Sequence, residues 1–287
     1  MTQVIATGFA MGCIYALVGF GFILIYNATH GLNFAHGEFV MFSAYVFYSA
    51  FTAGLPIWAA AAVALAIMTA FGAVYYLVLF EPLRKRPMVA FIIATIGVSI
   101  MLRNLALIVW GPNPLKMPSF LAMSTIRVGD IALTPENLFI ILATFVALVV
   151  QYILFFGTDL GRRIRATAQN PEMSELLGIR LNRTIVITFM VSTLLAGIAG
   201  VLVAPIFLID PDMGGGLILK AFIGVIVGGF GSIPGAVVGG LLVGVMEILI
   251  AVFVSSTFRD TIVFGLLILL LLTFPRGIFG GPAEDRV

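Results

Sequence analysis

Seven polar or ionisable side chains stand in stretches otherwise apolar enough to lie in hydrocarbon: Asn33, His36 and Glu38 in one run, the adjacent Arg103 and Asn104, and Lys220 and Glu247. Such groups are costly at membrane depth and mark a solute path or pair with one another. They are the candidate translocation-pathway residues, and the chemistry they offer is recognition. Arg103 can pair with Glu247 or snorkel toward a headgroup. Asn33 can either cap the helix that follows or touch a solute, with Glu38 near the positive end of the same helix. His36 has no metal-binding partner at helical spacing, because His30 lies six residues away in a turn. No metal site is expected, and no nucleophile or carboxylate pair assembles a catalytic set.

A second polar concentration runs over 159–183 and is the longest interruption of the apolar pattern. It opens with Arg162, Arg163 and Arg165. Asn170 then suits a helix N-cap, Pro171 the first helical position, and Glu172 the positive end of the helix dipole. Gly178 suits the left-handed position beyond the last turn. The pattern predicts a two-turn helix over 171–177, with Met173, Leu176 and Leu177 forming one apolar stripe at i, i+3 and i+4. A helix this short does not hold in water alone. Its stripe therefore packs on the chain's own helix ends or lipid headgroups, or docks in the groove of a soluble partner. ATP is not held here by a phosphate-binding loop, which needs glycine directly before lysine. The three lysines, Lys85, Lys116 and Lys220, follow Arg84, Leu115 and Leu219.

The elements that must position these residues are membrane helices. The 287-residue chain is 61% hydrophobic and 10% charged, with mean hydropathy +1.18, against roughly 25% charged in a soluble domain. A span needs about 20 apolar residues, and the stretches 2–26, 33–52, 57–80, 88–110, 135–156, 184–208, 233–254 and 257–274 qualify. The apolar 217–230 stretch is short and reads as a broken or re-entrant element. The expected fold class is an all-α polytopic integral membrane protein with eight to nine transmembrane helices, one domain over 1–287. No Lys or Arg precedes Arg84, so the first run lacks the basic flank of a cleaved signal and reads as a retained span.

Orientation follows the basic residues in the connections. Arg84, Lys85, Arg86, Arg162, Arg163, Arg165, Arg180, Arg183, Arg276 and Arg286 share one side, while Lys116, Arg127 and Arg259 lie opposite. The richer side is cytoplasmic. That puts the N terminus outside, and the C terminus inside if 217–230 crosses. The net charge of +2 implies no nucleic-acid patch, and the single Cys13 excludes an intrachain disulfide. Glycines recur at four-residue spacing in Gly8 and Gly12, Gly224 and Gly228, Gly235 and Gly239, and Gly240 and Gly244. This removes bulk from a helix face and favours close packing within the chain over a dedicated dimer face. Pro112, Pro114, Pro118, Gly129 and Asp130 give the 111–134 connection turn chemistry.

Three motifs, in order, carry a resemblance: Gly31-Leu-Asn-Phe-Ala-His-Gly-Glu38, the run from Arg165 through Asn170-Pro171-Glu172 to Ile179, and Gly228-Gly-Phe-Gly-Ser-Ile-Pro-Gly-Ala236. Together they resemble the LivH-type permease subunit of branched-chain amino acid ABC importers. The resemblance implies that 157–183 is a cytoplasmic coupling segment. Its contacts with an ATPase would be Arg162, Arg163, Arg165, Asn170, Pro171, Glu172, Met173, Glu175, Leu176, Leu177 and Gly178. It also implies two ABC ATPase subunits that bind ATP and Mg, a second homologous permease subunit, an extracytoplasmic solute-binding protein and a location in the bacterial inner membrane. This chain itself would bind no cofactor. Branched-chain or other apolar amino acids are the implied cargo, although related permeases serve urea, short amides and small carboxylates. The rival reading is an ATP-independent channel or secondary transporter for a small neutral solute such as urea or an amide. Broken Gly- and Pro-bearing helices are common in such proteins, but this reading leaves the apolar stripe without a role.

Overall fold

In the computed structural model, residues 2–118, 126–128, 131–133, 135–273 and 277–279 are described. The chain begins with α1 (Thr2–Thr29), α2 (His36–Thr52) and α3 (Ile57–Tyr75). A π-helical turn, Tyr76–Phe80, carries α3 into α4 (Glu81–Leu83), and α5 (Met88–Trp110) follows. After the antiparallel hairpin of β1 (Ile126–Val128) and β2 (Ile131–Leu133) comes α6 (Pro135–Tyr152), extended by a second π-helical turn, Ile153–Gly157. The remainder is α7 (Asp159–Gln169), α8 (Pro171–Leu176), α9 (Leu181–Val203), α10 (Met213–Gly228), α11 (Ile233–Phe253) and α12 (Arg259–Thr273). Among the described residues, six helices are long and apolar enough to cross a membrane: Gln3–Thr29, Ile57–Leu83, Met88–Trp110, Asn137–Gly157, Leu181–Val203 and Ile233–Phe253. The shorter α10 is also apolar. The protein is a helical, polytopic membrane protein.

Several expected boundaries move for physical reasons. α2 starts at His36 rather than at residue 33, because Asn33 is spent on a turn ahead of it: its Oδ1 accepts the Ala35 amide at 3.1 Å. The position before α2 is Ala35, with no side-chain cap, so Asn33 is not the N-cap. The 217–230 element begins earlier, at Met213, and is one unbroken helix. The 111–134 connection is not all turn, since β1 and β2 pair within it. Gly129, Asp130, Phe274, Arg276 and Arg286 lie outside the described residues.

The contacts at the helix ends define two faces. At one, Asn27 Nδ2 donates to the Gly231 carbonyl at 3.2 Å, Arg84 donates to Asn182, and the Ile278 and Phe279 amides donate to the Val227 and Gly228 carbonyls. This face gathers the ends of α1, α4 and α10 and the starts of α9 and α11, together with residues 277–279. At the other, Trp110 Nε1 donates to Ser49 Oγ at 2.7 Å, and Leu115 and Ile209 exchange backbone hydrogen bonds. The chain from Ile209 through α10 therefore leads from the Leu115–Ile209 face to the Gly231 face.

Two helix sets of opposite direction make the core. α1 lies antiparallel to α9, and Ser192 Oγ donates to the Gly21 carbonyl between them at 2.7 Å. α11 packs on α1 as α3 packs on α9, and α10 packs on α1 as α2 packs on α9. Glycine makes the α1–α11 approach possible. A Cβ at Gly12 would lie 2.7 Å from the Leu241 backbone, one at Gly8 2.9 Å from Val245 Cα, and one at Gly240 2.6 Å from the Ala16 amide nitrogen. Gly224 likewise abuts Gly240, and Gly228 abuts Gly235, at the α10–α11 seam. The four-residue spacing serves intrachain packing, where lipid supplies no hydrophobic drive and close van der Waals contact must do so. α2 and α10 meet N-terminus to N-terminus, Gly37 against Gly214, and then diverge toward opposite faces.

Candidate functional site

The arginine-rich segment folds as its residue types dictate. Thr158 caps α7 by accepting the Gly161 amide at 3.1 Å, and Asn170 caps α8 by accepting the Met173 amide at 3.0 Å. Pro171 occupies the first turn of α8, and Gly178 takes φ +82°, the left-handed value that ends it. Ser174 is the inward residue of α8, whereas Met173, Leu176 and Leu177 are 58%, 82% and 79% exposed. Among the described residues, the chain's own helix ends therefore do not cover the stripe. Glu172 and Glu175 are exposed beside it.

The arginines divide by role. Arg165 turns back: its guanidinium donates to the Phe155 carbonyl and lies 5.4 and 4.9 Å from the centres of the Phe155 and Phe156 rings. It fastens α7 to the π-helical end of α6. Arg162 pairs with Asp159 one turn away, and that hydrogen bond and charge hold the Asp159 carboxyl below the usual carboxylate range. Arg163 joins Arg180, Arg183, Asp159 and Leu177 around an open cavity of about 660 Å³.

The apolar-depth residues form two separate clusters, and the pairing of Arg103 with Glu247 does not occur. In the first, at the meeting of α2 and α10, Glu38 is 1% exposed and its Oε1 accepts from Ser99 Oγ at 2.6 Å and from Arg103 at 3.3 Å. A second ion pair, at 3.1 Å, ties Arg103 to Asp212. Asn33 Oδ1 accepts from the Tyr75 hydroxyl at 2.8 Å. His36 is fully buried over Gly21, where a Cβ would lie 2.7 Å from its Nε2. The Val18 carbonyl is nearby, yet neither imidazole nitrogen reaches hydrogen-bonding geometry among the described residues. Asn104 bonds the Ile100 carbonyl within α5 and is exposed.

The second cluster holds Lys220 and Glu247. Glu247, 1% exposed, accepts from the Tyr15 hydroxyl and from Lys220, both at 2.6 Å, and pairs with Arg259 at 3.1 Å. Lys220 also pairs with Asp260 at 3.2 Å. These charges knit α1, α10, α11 and the start of α12 beside a cavity of about 370 Å³. Its other walls include Met11, Val203, Leu217 and Ile248.

Sequence reasoning missed Asp212, Ser99, Tyr15, Arg259 and Asp260. Asp212 carried a signal, since it directly precedes the apolar, glycine-rich start of α10 and could have been read as a helix-start residue. Tyr15 and Ser99 carried none, because a hydroxyl within an apolar run is common.

A family profile described as branched-chain amino acid transport system, permease component, matches residues 4–272. The chain is 34% identical to the high-affinity branched-chain amino acid transport system permease protein LivH of Escherichia coli strain K12, covering 99% of this chain and 97% of that one. It is 33% identical, with the same coverage, to the corresponding permease protein BraD of Pseudomonas aeruginosa. A more distant relative, the fructose import permease protein FruG of Bifidobacterium longum, is 29% identical over 90% of this chain and 78% of its own. No solved structure matches at a significant level.

Proposed function

The chain belongs to the family of branched-chain amino acid transport system permease components, and we propose that it serves as the membrane-spanning subunit of an ATP-driven importer for branched-chain or other apolar amino acids. It is a permease subunit and not an enzyme. Two ATPase subunits would bind ATP and Mg, a second homologous permease would complete the membrane unit, and an extracytoplasmic binding protein would deliver the solute. The bacterial inner membrane is the expected site. With the arginine-rich face in the cytoplasm by the positive-inside rule, α1, α2, α3, α5, α6, α9, α10, α11 and α12 make nine crossings, with the N terminus outside and residues 277–279 inside.

The observation that carries this reading is the capped helix α8, whose three apolar side chains face away from the chain. In a two-state transporter a rigid element must bias the packing of the whole. α8 suits this role because Asn170 and Gly178 fix its ends, while Arg165 clamps the preceding α7 to α6. Closure of the ATPase pair would push α8, and α7 and α9 would pass the displacement to the bundle. The glycine seams give interfaces with little side-chain interlock to slide over. The pathway is proposed to run by Asn33, His36, Glu38, Arg103 and Asn104, with Lys220 and Glu247 as a second polar station.

The test is uptake of radiolabelled L-leucine into proteoliposomes. The complete complex, given its binding protein and internal ATP, should accumulate leucine, and ATP omission should abolish it. Transport of urea or an amide by this chain alone, without ATP, would replace the importer with the channel reading. Because one relative is named for fructose import, a panel of amino acids and sugars tests the cargo separately.

A further inference from the structure

We propose that Arg103, Asp212 and the first turn of α10 form a mid-depth recognition point for the zwitterionic head of the transported amino acid, an assignment that rests on the importer reading above. Its carboxylate would meet Arg103 and the α10 amides, and its ammonium would meet Asp212. The helix start is built for an anion. Met213, Gly214, Gly215 and Gly216 open α10, and Asp212 at its N-cap makes no side-chain capping bond. The Met213 amide is taken by the Asp210 carbonyl at 3.3 Å, which leaves the Gly214–Gly216 amides at the positive end of the helix dipole without a capping side chain from Asp212. A Cβ at Gly215 would come within 3.2 Å of the Arg103 guanidinium, so the bare backbone there leaves room beside that group, whereas Gly216 lines the Lys220–Glu247 cavity.

A buried, unsaturated polar network aims into the same place. Glu38 is 1% exposed, its Oε2 has no hydrogen-bond partner among the described residues, and it lies directly against Gly214. Arg103 Nε is likewise unpartnered, although its guanidinium is held by Glu38 at 3.3 Å and by Asp212 at 3.1 Å. The side chain of Arg103 is 38% exposed and that of Asp212 is 79% exposed. Neither side chain is sealed within the bundle. An arginine open at span depth is expensive against lipid. An aqueous solute path removes that cost and gives the guanidinium a carboxylate to fork onto. Opposed helix starts at mid-depth, here α2 and α10, are also where discontinuous helices hold charged solute groups.

Equilibrium binding tests this directly, using the assembled complex in nanodiscs and displacement of tritiated L-leucine. L-leucine, isopentylamine and 4-methylvalerate are the competitors, so each head-group charge is removed in turn. In the wild type both single-charge probes should compete at least roughly tenfold more weakly than leucine, the loss of one charge-assisted hydrogen bond. Asp212→Asn should weaken leucine by a similar factor and bring 4-methylvalerate level with it; Arg103→Gln should do the same for isopentylamine. A merely structural ion pair would shift all three probes together, and that result overturns the proposal, as does wild-type affinity in Asp212→Asn. Asp212 is exposed enough that its variant keeps the test sound if Arg103→Gln fails to assemble. A wild-type complex that imports leucine yet binds none also overturns the site while leaving the importer standing. One that neither binds nor imports leucine removes both.

Discussion

The apolar face of α8 allows a magnitude to be worked out before any partner is in hand. Leu176 and Leu177 leave 82% and 79% of their surface in solvent, and Met173 58%. Full burial of one such side chain is worth about 1.5–3 kcal/mol, so docking that covers both leucines yields about 3–4 kcal/mol and the methionine adds about 1 kcal/mol. Truncating both leucines to alanine should remove about 3 kcal/mol, roughly a hundredfold in dissociation constant. The stability of the chain alone should change by less than about 0.5 kcal/mol, because neither side chain is packed within it. The assay is co-purification from detergent with the chain as bait, followed by titration of the ATPase subunit onto immobilised wild type and Leu176→Ala/Leu177→Ala. An unchanged dissociation constant would refute the docking argument. A lowered melting temperature of the isolated variant would mean that the stripe packs internally, against the exposures given above.

Other parts of the fold make separate predictions. Gly12→Ala places a methyl 2.7 Å from the Leu241 backbone and should destabilise the α1–α11 seam by about 1–3 kcal/mol. Gly97→Ala, where a Cβ meets nothing, should be neutral or stabilise by up to about 1 kcal/mol through helix propensity; detergent melting of the two variants compares them. Glu247→Ala leaves Lys220 and Arg259 without their shared buried carboxylate and should cost about 3 kcal/mol, read by the same melting assay. A Lys220→Met/Glu247→Leu double variant should cost less than Glu247→Ala if the penalty is an orphaned charge. Because Asp159 has a lowered folded-state value, its support for α7 is present above the ordinary carboxylate range and lost as acid carries the pH through that lowered value. Asp159→Asn should therefore raise hydrogen exchange of α7 amides at neutral pH relative to wild type, and the difference should close only well into acid.

The contrast between α8 and the α2–α10 meeting explains how far the sequence could be read. Asn170, Pro171 and Gly178 act within one or two turns of themselves, so residue type alone located the caps, the helix and its apolar stripe. The six long spans were legible for a related reason, since hydrocarbon thickness dictates their length. Partner choice among buried charges obeys no local rule. Arg103 had Glu38, Glu247 and Asp212 available as counter-charges, and the geometry gives it Glu38 and Asp212 while Glu247 takes Lys220 and Arg259. What decides is the register of α10 between α2 and α11. Glycine contacts at Gly214, Gly224 and Gly228 hold that register, each bringing a neighbouring backbone too close to admit a Cβ. The glycine spacing was visible in the sequence, but the seam to which each glycine belonged was not. One physical feature thus bears on both the packing and the electrostatics: removal of side-chain bulk lets α2 and α10 meet at Gly37 and Gly214, and beside that meeting Glu38 and Arg103 keep polar atoms without a partner among the described residues.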